Sequence, residues 1–157
     1  MTEASPAAGG NSRKALVTAL NGAVADTLAL YVKTKNFHWH VAGPRFRDLH
    51  LLFDEQAAEL IGTVDDIAER VRKNGADTQT SIGSIAGATQ IGDHDDTATD
   101  ADTMVKILRG DNRKLHERLS EVKDAAEDAS DHATSGIVDD WIDRCEQRIW
   151  FLTQTLA

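Results

Sequence analysis

Apolar residues return every three or four positions in four long stretches of the chain, the period of an amphipathic helix. Leu16, Leu20, Val24, Leu28 and Tyr31 mark the first. It runs to the Gly43-Pro44 pair, where glycine permits a reversed backbone and proline suits the first turn of a new helix. The second stretch carries Leu49, Phe53, Leu60, Val64, Ile67 and Val71 and stops near Asn74-Gly75. Met104, Ile107, Leu108, Leu115, Leu119 and Val122 mark the third, and Val138, Trp141, Ile142, Cys145, Ile149 and Leu152 the fourth. Between the second and third lies a long connection, Ala76 to Asp100, of a length that is unusual without structure of its own. Its middle, SIGSIAGA, reads as a short helix crossing the bundle. No strand-like alternation and no internal repeat appears. The pattern predicts an all-α four-helix bundle with a short extra helix in the long connection between helices 2 and 3.

The first fourteen residues, MTEASPAAGGNSRK, are small and polar. We expect a flexible N-terminal tail over residues 1–12 and one bundle domain over residues 13–157, a length sufficient to bury a proper core. The tail has no apolar signal-peptide core, and no long uncharged apolar run suggests a membrane span. Cys145 is the only cysteine, which permits no internal disulfide and suits a reducing cytoplasm. The net charge of -9 opposes broad adhesion to nucleic acid and is compatible with attracting cations.

The candidate chemistry lies on and just before the second helix. His50 and Asp54 are one helical turn apart, and so are Asp65 and Glu69. On a helical wheel with His50 at zero, Asp54 falls near ~40°, Asp65 near ~60° and Glu69 near ~100°. The four share one stripe, beside the core stripe rather than on it. Asp54 and Asp65 are about 16 Å apart along the axis. A single ion, with ligands about 2 Å away, cannot bridge them. A two-fold axis removes the difficulty. His50 and Glu69 are equidistant from the point between Glu59 and Leu60, and so are Asp54 and Asp65. Antiparallel pairing of this helix with its copy therefore sets Asp54 opposite Asp65 of the partner subunit, and His50 opposite Glu69 of the partner subunit. Two equivalent sites result, in the isologous contact commonest among oligomers. Between the ligand pairs the stripe carries Ala57, Ala58, Ile61 and Gly62, small enough in the main for close approach. Taken one at a time, these residues have plainer readings: a hydrogen-bonded His38 at a helix end, a solvated His50–Asp54 pair, two exposed acids.

The runs FHWHVAGP, LHLLFDE and TVDDIAER resemble the signature of the Dps family, the small ferritins of bacteria and archaea. Four helices with one long crossover also match a ferritin-like bundle. The resemblance is dense over the second helix and extends elsewhere as helix layout and the late Trp150. It implies a homo-oligomer, a dodecamer of bundle subunits enclosing a hollow, with ferroxidase sites across two-fold interfaces. Catalytic and metal-binding roles then fall on His38, His50 and Asp54 of one chain and on Asp65 and Glu69 of the other. The implied substrate is iron, Fe(II) passing to Fe(III), with hydrogen peroxide preferred over dioxygen, and ferric oxyhydroxide stored within. Zinc or manganese are competitors for the same ligands. Imidazole and carboxylate suit iron while leaving positions open to an oxidant. No histidine has a glutamate three residues before it, so the Glu-x-x-His motif of di-iron bundles is absent, which favours an interface site over one inside the bundle. Trp39 is an auxiliary residue near the site, in packing or as an electron donor. His40 is left outside it.

A second acidic cluster, EVKDAAEDASD, spans Glu121 to Asp131. It reads equally as a solvated helix end and as a lining of three-fold pores admitting Fe(II), as in Dps-like shells. Asp131 aligns best with the pore pattern, with Asp124, Glu127 and Asp128 behind it. Gly136 stands where many relatives carry an acid. The run Asp93 to Asp102 reads as solvated capping. The expected function is iron storage and detoxification by a cytoplasmic ferroxidase that protects DNA from oxidative damage. The alternative is a nucleoid-associated protein that coats DNA. Phosphate binding needs several cations, and the tail offers only Arg13 and Lys14 against Glu3. DNA binding is therefore expected to be weak or absent. A non-catalytic helical adaptor, the third reading, would not need the ligand stripe.

Overall fold

The computed structural model describes residues 6–157 and contains five helices. They are α1 (Pro6–His40), α2 (Phe46–Lys73), α3 (Ile82–Ala88), α4 (Ala101–Asp128) and α5 (His132–Thr155). Among the described residues there is no strand. Helix α1 starts earlier than the expected domain boundary at residue 13, so residues 6–12 are helical; residues 1–5 lie outside the described part. A formed helix extends cheaply, since each added residue closes another backbone bond. Proline heads α1, where its missing N–H leaves nothing unpaired.

Local chemistry sets the ends. Gly43 has φ 106° and Gly75 has φ 80°, the left-handed conformation glycine reaches without steric cost. Gly75 follows an α2 last turn carrying Arg70, Arg72 and Lys73, cations suited to the negative end of the helix dipole. Ser81 caps α3 in a reciprocal box with Ser84. Asp100 caps α4 by accepting from the Thr103 amide at 2.9 Å.

Helices α1 and α2 form one antiparallel pair and α4 and α5 the other, joined by α1 packing on α4. Ion pairs fix the orientation of α1 against α4. Lys33 meets Asp111 at 2.7 Å and Asp26 meets Arg118 at 3.0 Å, so partner numbers fall as α1 advances. The connection does not cross the bundle as expected. It runs lengthwise along α1. Asn21 donates to the Asp77 carbonyl (3.0 Å), Lys33 to that of Gly92 (2.9 Å) and Asn36 to that of His94 (2.9 Å). In the middle Asp26, fully buried, accepts from the Thr89 hydroxyl, the Gln90 amide and side chain, and Arg118. Backbone groups that no helix ladder uses are thus satisfied by α1 side chains.

The core draws on all four long helices, with Leu16, Leu20, Phe53, Leu60, Ile67, Leu108, Leu115, Val138, Cys145 and Leu152 buried in it. Leu28, Tyr31, Val64, Ile107, Ile142 and Ile149 pack at its rim. By length and composition α1 could cross a membrane, but 56% of its apolar window is buried in the bundle. One polar layer interrupts the core: Arg148 donates to Asn112 Oδ1 at 2.8 Å and pairs with Glu59.

Candidate metal centre

The turn after α1 folds the last turn of that helix against the first turns of α2. There His38 and His50 stack with ring centroids 3.8 Å apart and planes 14° from parallel. Phe46, one turn before His50, packs on its ring at 5.0 Å. Each histidine holds the other's backbone. His38 Nδ1 lies 2.6 Å from the His50 carbonyl oxygen, and His50 Nδ1 lies 2.7 Å from the His38 carbonyl oxygen. A carbonyl only accepts, so both Nδ1 atoms carry the proton. In the neutral rings both Nε2 atoms then hold a free lone pair. An outer hydrogen bond of this kind fixes tautomer and ring orientation in metal-ligating histidines.

Asp54, one turn beyond His50, completes the local group, with His38 Nε2 3.8 Å from its Oδ1. Lys35, one turn before His38, reaches the same oxygen at 2.8 Å. This hydrogen bond, with the nearby ammonium charge, holds the Asp54 carboxyl below the usual carboxylate range. The sequence reading passed over Lys35. Nothing in the sequence marks it, since α1 carries a single acid, Asp26, and the carboxylate that Lys35 reaches lies on α2. Lys35 Nζ is also 5.9 Å from the ring centroid of Trp39, which is exposed. His40 places its Nδ1 2.9 Å from the Asn36 carbonyl and 2.7 Å from the Asn36 side-chain oxygen.

Asp65 and Glu69 stand exposed further along α2, with Lys73 4.0 Å from Glu69. Among the described residues of one chain, no three His, Cys, Asp or Glu side chains gather closely enough to hold an ion. One chain thus carries two separate groups: His38 of α1 with His50 and Asp54 of α2, and Asp65 with Glu69 further along α2. Between them Ile61 and Gly62 are exposed, and nothing lies within 4 Å of where a Gly62 Cβ would stand. Ala57, assigned to that stripe from the sequence, is buried in its own bundle. The wheel sets it at the edge of the core stripe, and the core claims it. Two imidazole nitrogens and several carboxylates suit Fe(II), and equally zinc or manganese.

Of the acidic cluster, Asp124, Glu127 and Asp128 are exposed, and Lys123 is 3.5 Å from Glu127. Asp131 is occupied within its own chain. It caps α5 through the Thr134 amide (3.1 Å) and hydroxyl (2.5 Å), and it accepts from Arg70 (3.1 Å) and Asn74 (3.0 Å). Burial pushes its pKa up, but these hydrogen bonds outweigh burial and hold it far below the carboxylate range.

With this geometry in place, the chain can be set beside known proteins. The family described as "Ferritin-like domain" matches residues 17–157. The chain is 34% identical over 133 residues to the DNA protection during starvation protein of Brevibacillus brevis, across 85% of this chain and 89% of that protein. A crystal structure of a Dps protein from Bacillus brevis superposes with a TM-score of 0.89 at 31% identity, covering 94% of this chain and 98% of that one. A Dps protein from Vibrio cholerae, described as a member of a broad superfamily of ferritin-like diiron-carboxylate proteins, superposes with a TM-score of 0.88 at 27% identity, covering 94% and 92%. The fold and the matched domain define a ferritin-like protein. Within that class, the chain belongs to the Dps family.

Proposed function

We propose that this protein oxidises and stores iron, at sites completed only when α2 pairs with α2 of a second subunit. His38, His50 and Asp54 supply one half of each site, and Asp65 and Glu69 of the partner subunit the other. The observation that carries this reading is the mutual carbonyl lock of His38 and His50, which leaves both Nε2 atoms with a free lone pair, that of His38 3.8 Å from Asp54 Oδ1. An ordinary surface pair would not need both rings fixed in one tautomer. Family membership supports a dodecameric hollow shell in which the ferric product accumulates.

In the reaction two Fe(II) ions each lose one electron to one hydrogen peroxide, whose O–O bond breaks; with two protons it leaves as two waters. Pairing the electrons avoids release of hydroxyl radical, and this spares DNA. The role of the chain is to hold two ions close enough for one peroxide to meet both. Dioxygen serves as the slower oxidant. Asp124, Glu127 and Asp128 are the exposed acids available to line a path for Fe(II), with Asp131 held as a cap. The protein acts in the cytoplasm, where its lone cysteine stays reduced. Coating of DNA is the second reading, and the acidic chain does not favour it.

The test is an anaerobic Fe(II) titration followed by stopped-flow mixing with peroxide or with dioxygen. The expected result is up to two Fe(II) bound per site, two oxidised per peroxide, and faster oxidation with peroxide. A protein that accelerates neither reaction is not a ferroxidase.

A further inference from the structure

We propose that Lys35 is a built-in competitor of the incoming metal: its ammonium holds Asp54 in the metal-free protein and must leave before an ion can use that carboxylate. The inference rests on the ferroxidase reading of His38, His50 and Asp54 and adds a residue that sets affinity there. Three observations lead to it. The Lys35 ammonium lies 2.8 Å from Asp54 Oδ1, and His38 Nε2 lies 3.8 Å from the same oxygen. The lysine therefore sits where imidazole and carboxylate converge, the place an ion would take. The lysine side chain is 20% exposed, which limits where its head can rest. A second seat is at hand, since Nζ is already 5.9 Å from the exposed Trp39 ring, within the range of a cation–π contact.

Charge explains why such a device is useful. The proposed two-fold gathers Asp54 with Asp65 and Glu69 of the partner subunit. Like charges so close repel, and the metal-free interface needs a cation. Lys35 supplies one. An ion on Asp54 Oδ1, at a metal–oxygen length of about 2.1 Å, could lie no more than roughly 4.9 Å from Nζ of an unmoved lysine. Ion and ammonium then repel strongly in a partly desolvated site. Metal binding is thus exchange of one cation for another, with Lys35 swinging toward Trp39. Lys35 is a positioning residue, and its removal should move two properties in opposite directions. The metal-free assembly should weaken, and metal affinity should rise. Loss of a merely structural contact would lower both.

Zinc, which does not change oxidation state, is the probe. Calorimetric titration of the assembled wild type, Lys35→Gln, Lys35→Met and Lys35→Arg is paired with sedimentation of each in chelator, after circular dichroism has shown equal helix content. The glutamine and methionine variants are expected to bind zinc about tenfold more tightly or better. They should also dissociate at protein concentrations where the wild type stays assembled. The arginine variant should behave as the wild type. Unchanged or weaker zinc binding in both neutral variants would overturn the inference, as would an arginine variant that matches glutamine. Asp54→Asn separates this failure from that of the underlying reading. If zinc binding to the wild type does not depend on Asp54, the ferroxidase site is misassigned. If it does, and the neutral lysine variants bind no tighter, only the role of Lys35 fails.

Discussion

Two backbone carbonyls determine what His38 and His50 can offer. A free imidazole chooses between tautomers and samples many ring orientations. Here each Nδ1 is committed to the other histidine's carbonyl, so Nε2 of both, the nitrogen the proposed site would use, is left with its lone pair. Asp131 is treated in the opposite way, with its carboxylate consumed inside the chain. Its folded-state pKa is depressed, so the stability it lends is present above the ordinary carboxylate value of about 4. That stability is lost as pH falls toward the folded value. Asp131→Ala should cost about 2 kcal/mol at neutral pH, as expected for a lost helix cap. The variant should also show a shallower loss of stability than the wild type as pH drops below about 4. Urea denaturation at fixed protein concentration between neutral and acid pH measures both.

Among the elements, the four long helices were legible because their core positions return with a helical period. The stops were legible from glycine and asparagine chemistry, and the short helix from Ser81 and its neighbours. Two features were not. The start of α1 carries no apolar periodicity, since residues 9–15 are two glycines, one alanine and four polar residues, so a periodic reading sees a tail where helix continues. The path of the crossover was hidden because polar side chains fix it, and these match one another in space rather than in sequence. Asp26 is the centre of that fixation. Asp26→Ala removes the acceptor for Thr89, Gln90 and Arg118 together. Breaking such a buried charged network should cost about 3–5 kcal/mol and free the 76–100 segment. Hydrogen exchange should show Gln90 and Ile91 amides losing protection ahead of the long helices.

At the scale of the whole molecule, the proposed site draws on two chains, and one chain shows its candidate residues in two separate groups. Four of the candidate residues, His50, Asp54, Asp65 and Glu69, were visible as spacing on α2. Lys35 was not, because lysines on a solvated helix face are ordinary until a structure shows one reaching a carboxylate. The net charge of -9 also acts at this scale. No stable duplex binding is expected near neutral pH and physiological salt, since counterion release needs clustered cations. Plasmid retention in a gel shift at moderate protein concentration, lost only at high salt, would contradict this.

The central claim is that each iron site belongs to two chains. Asp54→Asn and Glu69→Gln should each abolish oxidation in pure assemblies, because every site then lacks one ligand. A mixed interface behaves differently. One of its sites loses both ligands, and the other recovers the complete set, since Asp54 of one chain shares a site with Glu69 of the partner subunit. Dissociating the two mutant proteins, mixing them and reassembling the shell should therefore restore part of the peroxide-driven Fe(II) oxidation, followed by stopped-flow absorbance. If the mixed assemblies reach normal size and their oxidation stays at the level of the pure mutants, the shared site does not exist.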